Sequence, residues 1–151
     1  MPLRLRQKIQ AVPRQAKLRE VNAVDVAVGV VVNANQHVLI SKRAAYQHQG
    51  NRWEFPGGKK EPNETIAAAL TRELFEELGL EVRNAEPLCT IEFEYPEKCV
   101  RLQVFWVFEF SGQVTSKEGQ EWRWVAVHEL GEYTFPDANA PIVDAIQARF
   151  Q

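Results

Sequence analysis

Hydrophobic positions along this chain follow two rhythms, β-branched runs with near-continuous apolar character and stretches at helical spacing. Residues 24–32 read VDVAVGVVV, which predicts a buried strand. A polar turn at 33–36 leads to a second run at 37–42, so the two are expected to form a hairpin. The stretch 47–51 is polar and turn-like. Trp53-Glu54-Phe55 then runs into Pro56-Gly57-Gly58, which is expected to stop any strand and open a tight loop. A helix is predicted from about Glu64 to Leu78, with Asn63 as N-cap, Glu64 in the first turn and Gly79 as the stop. Strands are predicted at 89–94 and 100–110 around a turn at 95–98, and another at 122–127. A short amphipathic helix at 141–150 carries Ile142, Val143, Ile146 and Phe150, with a proline in its first turn. Strands interleaved with two helices predict an α/β (α+β) chain, a mixed β-sheet flanked by helices in an α/β/α sandwich.

The first helix has an unusual polar pattern. At about 100° per residue and with Ile66 at zero, Leu70, Leu74 and Leu78 fall near 40°, 80° and 120°, the core-facing stripe. Glu73 and Glu77 fall near −20° and 20°, inside that sector, and Glu76 falls near −80°, on its flank. A solvated Glu-rich helix places its acids on the opposite side. Two carboxylates about 4 Å apart repel by roughly 4 kcal/mol at an effective dielectric of 20, so an inward-facing set needs a cation or a proton. Arg72 can pair with one acid and a metal can serve the others. An all-oxygen set selects a hard cation, Mg²⁺ or Mn²⁺, which also binds substrate phosphates. The preceding Gly57-Gly58 leaves a backbone carbonyl open to a metal, with Lys59 or Lys60 to neutralise phosphate charge. Together these residues predict a divalent-metal site for phosphate-ester chemistry.

Charge distribution narrows the substrate. Residues 1–19 carry six basic side chains and no acid, leaving twelve basic against twenty acidic residues and a net charge of −8 beyond them. A net-acidic body argues against a broad nucleic-acid footprint, so the expected partner is a small molecule. With 151 residues and 45% apolar content, one domain preceded by a basic extension at 1–23 is expected. That extension resembles an organellar transit peptide in its arginines, but it has no Ser and contains Pro2 and Pro13. A tail or short leader helix is therefore expected. Two cysteines, Cys89 and Cys99, indicate no disulfide framework, and no apolar stretch is long enough for a membrane span. A cytoplasmic monomer with no membrane partner is the expectation.

Gly58, Glu64, Arg72-Glu73-Leu74, Glu76-Glu77 and Gly79-Leu80 stand at the spacing of a complete Nudix box, and the chain resembles the Nudix hydrolases on that basis. The strings AVGVVVN (27–33), SKRAA (41–45), WEFPGGK (53–59), FEYP (93–96), KEGQ (117–120) and FPDANAPI (135–142) extend the likeness to the MutT-type 8-oxo-dGTP diphosphatases over about 24–146. The resemblance implies a Nudix-like sandwich at 24–151 and Mg²⁺-dependent cleavage of a nucleoside triphosphate. It implies metal ligands at Glu76, Glu77 and the Gly57 carbonyl, and Glu73 as ligand or base with Arg72 orienting it. Glu118 would be a further metal carboxylate. Nucleotide contacts are implied at Arg43, His48, Glu54, Phe55, Pro56, Gly57 and Asn139. Where MutT places an Arg after the FEYP-like segment this chain has Lys98, a point charge in place of a bidentate fork.

What the resemblance implies for chemistry is the release of pyrophosphate and a monophosphate from an oxidised purine nucleotide. Guanine presents acceptors at O6 and N7, whereas 8-oxoguanine carries a hydrogen at N7, so one Asn side chain satisfies the oxidised edge with its donor and its acceptor. Phe55 or Trp53 would add apolar base contacts. Two other readings stand beside this one: a Nudix enzyme preferring a pyrimidine triphosphate, against which FPDAN argues, and an oxidised-base recognition module without hydrolysis. Such a module can dispense with the box acids, all of which are present here.

Overall fold

The computed structural model describes residues 4–7, 23–43, 46 and 50–151. Five strands form one sheet in the order β1 (Arg4–Gln7), β6 (Glu81–Glu94), β7 (Cys99–Ser111), β2 (Ala23–Val31), β5 (Gly57–Lys59). Three form a second: β4 (Trp53–Glu54), β3 (His37–Lys42), β8 (Trp122–Ala126). β2 and β7 pair in parallel and the other described pairs are antiparallel. The mixed α/β character therefore holds, with two sheets in place of one.

Alternation along β2 explains the layering. Ala27 and Val31 pack under helix α1 (Ile66–Leu78) with Leu70, Leu74 and Leu78, while Val28 and Val30 belong to a second core shared with Ile142 and Ile146 of helix α2 (Ala140–Arg149). A strand buried on both faces reads as the continuous apolar run seen at 24–32. Among the described residues no helix is long and apolar enough to cross a membrane.

Local departures from expectation have identifiable causes. β2 and β3 meet at one bridge, Val32 to Val38, and then diverge into different sheets, because β7 and β5 already occupy both edges of β2. Gly57 and Gly58 do not form a loop: they pair with Val28 and Ala27, and the Gly29 N–H donates to the Pro56 carbonyl at 2.8 Å. Helix α1 is capped by Thr65, whose hydroxyl accepts from the Ala68 N–H at 3.0 Å. Asn63 cannot cap it, since its φ is +69°. Gly79 ends the helix in the left-handed region, as its place after the apolar stripe predicts. β6 begins eight residues before the expected 89, through register shifts that include the one beside Pro87. In the N-terminal segment, expected as a tail or leader helix, residues 4–7 form a strand against Ile91 to Glu94.

Asp25 and Arg101, register partners across the central pair, form a two-pronged ion pair at 2.9 and 3.0 Å, joined by Gln103 at 3.0 Å. Burial pushes the Asp25 carboxyl up, but hydrogen bonds from Arg101 and Gln103 and the Arg101 charge outweigh it, leaving the group below its ordinary 3.8. A depressed carboxylate stabilises the fold fully at neutral pH, and the contribution disappears as pH falls through the lowered value. Asp25→Asn is expected to cost about 1–3 kcal/mol at pH 7. In denaturant titrations the gap to the parent should close below about pH 4; a gap independent of pH would reject the ion-pair account.

Candidate active site

A cavity of about 490 Å³ opens between α1, β5 and the loop that follows β7. The inward stripe of α1 brings Glu73 and Glu77 to its wall, β4 contributes Glu54, and the loop contributes Glu118. That loop is tied to the end of the helix: Thr115 N–H donates to the Leu78 carbonyl at 2.9 Å and Lys117 N–H to the Glu77 carbonyl at 3.0 Å. The Lys117 ammonium also sits 4.5 Å from the centre of the Phe75 ring. Glu118 is thereby held on the same side of the helix as Glu77.

Concentrated negative charge shapes this wall. Burial pushes the Glu77 carboxyl up to about 8, reinforced by Glu73, Glu118 and Glu54 and opposed by a hydrogen bond from the Gly57 backbone. Its Oε2 atom is buried with no hydrogen-bond partner. Burial also raises Glu54, against the pull of Arg43, whose guanidinium lies 2.7 Å from it.

Arg72 organises the other acids. It donates to Glu64 at 2.7 and 3.1 Å, to Glu73 at 2.9 Å, to Glu76 at 3.2 Å and to the Lys59 carbonyl at 3.0 Å. Its hydrogen bonds hold the Glu64 carboxyl down at about 2. Glu76 is drawn onto the outer flank, 59% exposed, and does not line the cavity. Among the described residues no three acidic, His or Cys side chains already converge as a metal cage. Mutual repulsion and the reach of Arg72 account for that spread. The donor set still suits a hard divalent cation: it is all oxygen, multiply acidic and includes an unmet buried carboxylate atom.

The remaining expected contacts divide. Arg43, Glu54, Phe55, Gly57 and Asn139 line the cavity, and Asn139 is 9% exposed. Phe55 stacks on Phe135 with centroids 5.1 Å apart. Pro56 is buried outside the wall, its carbonyl committed to β2. Lys98 is exposed and does not line the cavity; its carbonyl closes the β6–β7 turn by accepting from the Tyr95 N–H at 2.9 Å. Trp53 does not line the cavity: it packs edge-on against Tyr133 at 5.5 Å with Arg123 over its ring at 5.0 Å. Lys59 lines the cavity and Lys60 does not. His48 lies outside the described residues.

Phe93, Tyr95, Val26 and Leu102 form a wall that sequence reasoning did not assign. Apolar alternation on a strand looks the same whether the residue faces a core or a ligand cavity. Gln120, the last residue of KEGQ (117–120), also lines the cavity.

Comparison with known proteins agrees with this architecture. Residues 27–145 match the NUDIX domain family. An Escherichia coli 8-oxo-dGTP diphosphatase is 37% identical over 120 residues, 80% of this chain and 93% of that protein. An E. coli CTP pyrophosphohydrolase is 32% identical over 80% of this chain and 90% of its own length. Among solved structures, a MutT from work on Aliivibrio salmonicida and Vibrio cholerae superposes with a TM-score of 0.76 at 33% identity, covering 85% of this chain and 99% of that one. By family match, sequence identity and fold together, the chain belongs to the NUDIX domain family.

Proposed function

We propose that the protein hydrolyses oxidised purine nucleoside triphosphates, 8-oxo-dGTP foremost, to the monophosphate and pyrophosphate, and so cleanses the nucleotide pool. The observation that carries this reading is one cavity holding both the unmet Glu77 oxygen and the nearly buried Asn139 amide. The acids suit a cation-bound phosphate chain, and the Asn139 amide suits a base edge. The 8-oxo-dGTP diphosphatase relatives supply the substrate class.

A bound divalent cation, Mg²⁺ or Mn²⁺, supplies charge neutralisation for the phosphate oxygens and acidity for water at the site. Glu77, Glu118 and the Gly57 carbonyl are the groups assigned to hold it. Glu73 takes the proton of the attacking water while a new P–O bond forms and the phosphoanhydride P–O bond breaks, with Arg72 fixing the carboxylate's direction. Glu76, which pairs with Arg72 at 3.2 Å on the outer flank, is the further acid assigned to the cation. Arg43 neutralises charge beside Glu54, and Phe55 packs beneath the base. One chain supplies every group, and no nucleic-acid or membrane partner enters the reaction.

Asn139 sets the preference for the oxidised base. An unmet buried group costs about 1–3 kcal/mol, so Asn139→Ala is expected to lower discrimination between 8-oxo-dGTP and dGTP by roughly tenfold to a hundredfold, with a smaller change in kcat. Equal losses on both nucleotides would remove Asn139 from this role. The E. coli CTP pyrophosphohydrolase relative favours a second reading, a pyrimidine triphosphate substrate. A turnover screen of oxidised and ordinary triphosphates with Mg²⁺ separates the two, and a profile led by CTP would overturn the purine assignment.

A further inference from the structure

Gln120 is a polar side chain on the cavity wall for which the reaction as derived has no use. It lies two residues after Glu118, lines the same cavity as Glu73, Glu77 and Glu118, and its Oε1 is buried with no hydrogen-bond partner. Buried amide oxygens in folded proteins are almost always satisfied, so an unsatisfied one at a ligand cavity points to a donor or a cation that arrives with the ligand. None of the side chains that share the wall donates to this oxygen in the structure.

The backbone around Gln120 is held at both ends. Lys117 is bound through its N–H to the end of α1, and the Glu121 carbonyl accepts from the Lys42 N–H of β3 at 2.9 Å. Gly119 takes φ +76° between them, a left-handed turn that carries the chain from Glu118 to Gln120. The turn leaves both side chains on one cavity wall.

We infer that the Gln120 amide oxygen is a neutral acceptor for the divalent cation at this site, directly or through one of its waters; the inference rests on the metal-dependent reading above. A neutral oxygen suits this place physically. Every further carboxylate adds repulsion to a wall that already carries four, whereas an amide carbonyl adds a hard donor without charge. Gln120 is thus a positioning residue for the cation, and its effect is separable from turnover.

The test is Mn²⁺ binding, read from the free-ion electron paramagnetic resonance signal, together with the rise in Tm that Mn²⁺ produces. Parent, Gln120→Leu, Gln120→Glu and Glu77→Gln are compared. Gln120→Leu is expected to weaken Mn²⁺ about tenfold and to shrink the Mn²⁺-dependent rise in Tm. Gln120→Glu, which keeps an oxygen at the position, is expected to bind at least as tightly as the parent. A purely packing role would move the Tm of the cation-free protein and leave the Mn²⁺-dependent rise unchanged. Parent-like binding by Gln120→Leu would overturn the inference. So would weaker binding by Gln120→Glu than by Gln120→Leu, which would mark the amide as a donor to the neighbouring acids. If the parent binds no Mn²⁺, the metal-dependent function itself fails.

Discussion

Glu77→Gln is expected to lower turnover by about a hundredfold to a thousandfold while stabilising the cation-free protein above neutral pH. The two effects have one origin. Glu77 is buried among acids with an unmet oxygen, an arrangement that suits a bound cation and penalises the fold without one. Its carboxyl titrates near 8 in the fold against an ordinary 4.5, so the folded state holds a proton that the unfolded chain releases. Stability is therefore intact below about pH 4.5 and is lost as pH rises towards 8. Gln has no proton to lose. Thermal melts without metal should show the variant level with the parent near pH 4.5 and several degrees above it at pH 8. Saturating Mg²⁺ should narrow or reverse that gap by stabilising the parent alone. A variant that is both active and no more stable at pH 8 would contradict the assignment of Glu77.

Gly57→Ala and Gly58→Ala, one residue apart, are expected to fail for different reasons. A Cβ on Gly57 would lie 1.9 Å from the Ala27 carbonyl oxygen, a backbone atom of the strand it pairs with. The β2–β5 pairing must open, at about 3 kcal/mol or more and a fall in Tm of roughly 10 °C. A Cβ on Gly58 would meet the Glu73 carboxyl at 2.3 Å, the far end of a movable side chain. That residue folds normally but displaces the proposed base from its direction on Arg72. Its kcat is expected to fall by about 10²–10⁴, matching Glu73→Gln, with Tm within a few degrees. Calorimetry and steady-state kinetics on the two variants separate the cases, and a Gly58→Ala enzyme with parental kcat would remove Glu73 as the base.

How much of this was legible beforehand depended on the range of the forces involved. Helical period alone turned Glu73 and Glu77 inward and left Glu76 on the flank, because that geometry is local to α1. The N-cap was misplaced by two residues because Glu64 is held by Arg72, eight positions away, and Asn63 adopts a left-handed turn before the helix. The two glycines read as a loop, since nothing local announces that β2 needs a partner close enough to exclude a side chain. Asp25 and Arg101 lie 76 residues apart, beyond any spacing rule. Lys98 was placed by its position in a string, and position in a string does not decide which residues of a hairpin reach a cavity wall. Phe93 and Tyr95 could not be told from core residues by pattern.

The parallel register of β2 with β7 bears on the order of assembly during synthesis. Ala23 through Val31 pair with Cys99 through Val107, so one whole side of the apolar VDVAVGVVV run stays open until the second half of the chain has left the ribosome. Contacts of this sequence separation are slow to close and leave a sticky strand edge exposed meanwhile. Helix α1 is made earlier and at first has only part of its floor, Ala27, Val31 and Leu39, because Phe105 and Val107 of β7, which complete that core, come later. The nascent chain therefore acquires its carboxylate helix well before the core that fixes which way those carboxylates face is complete.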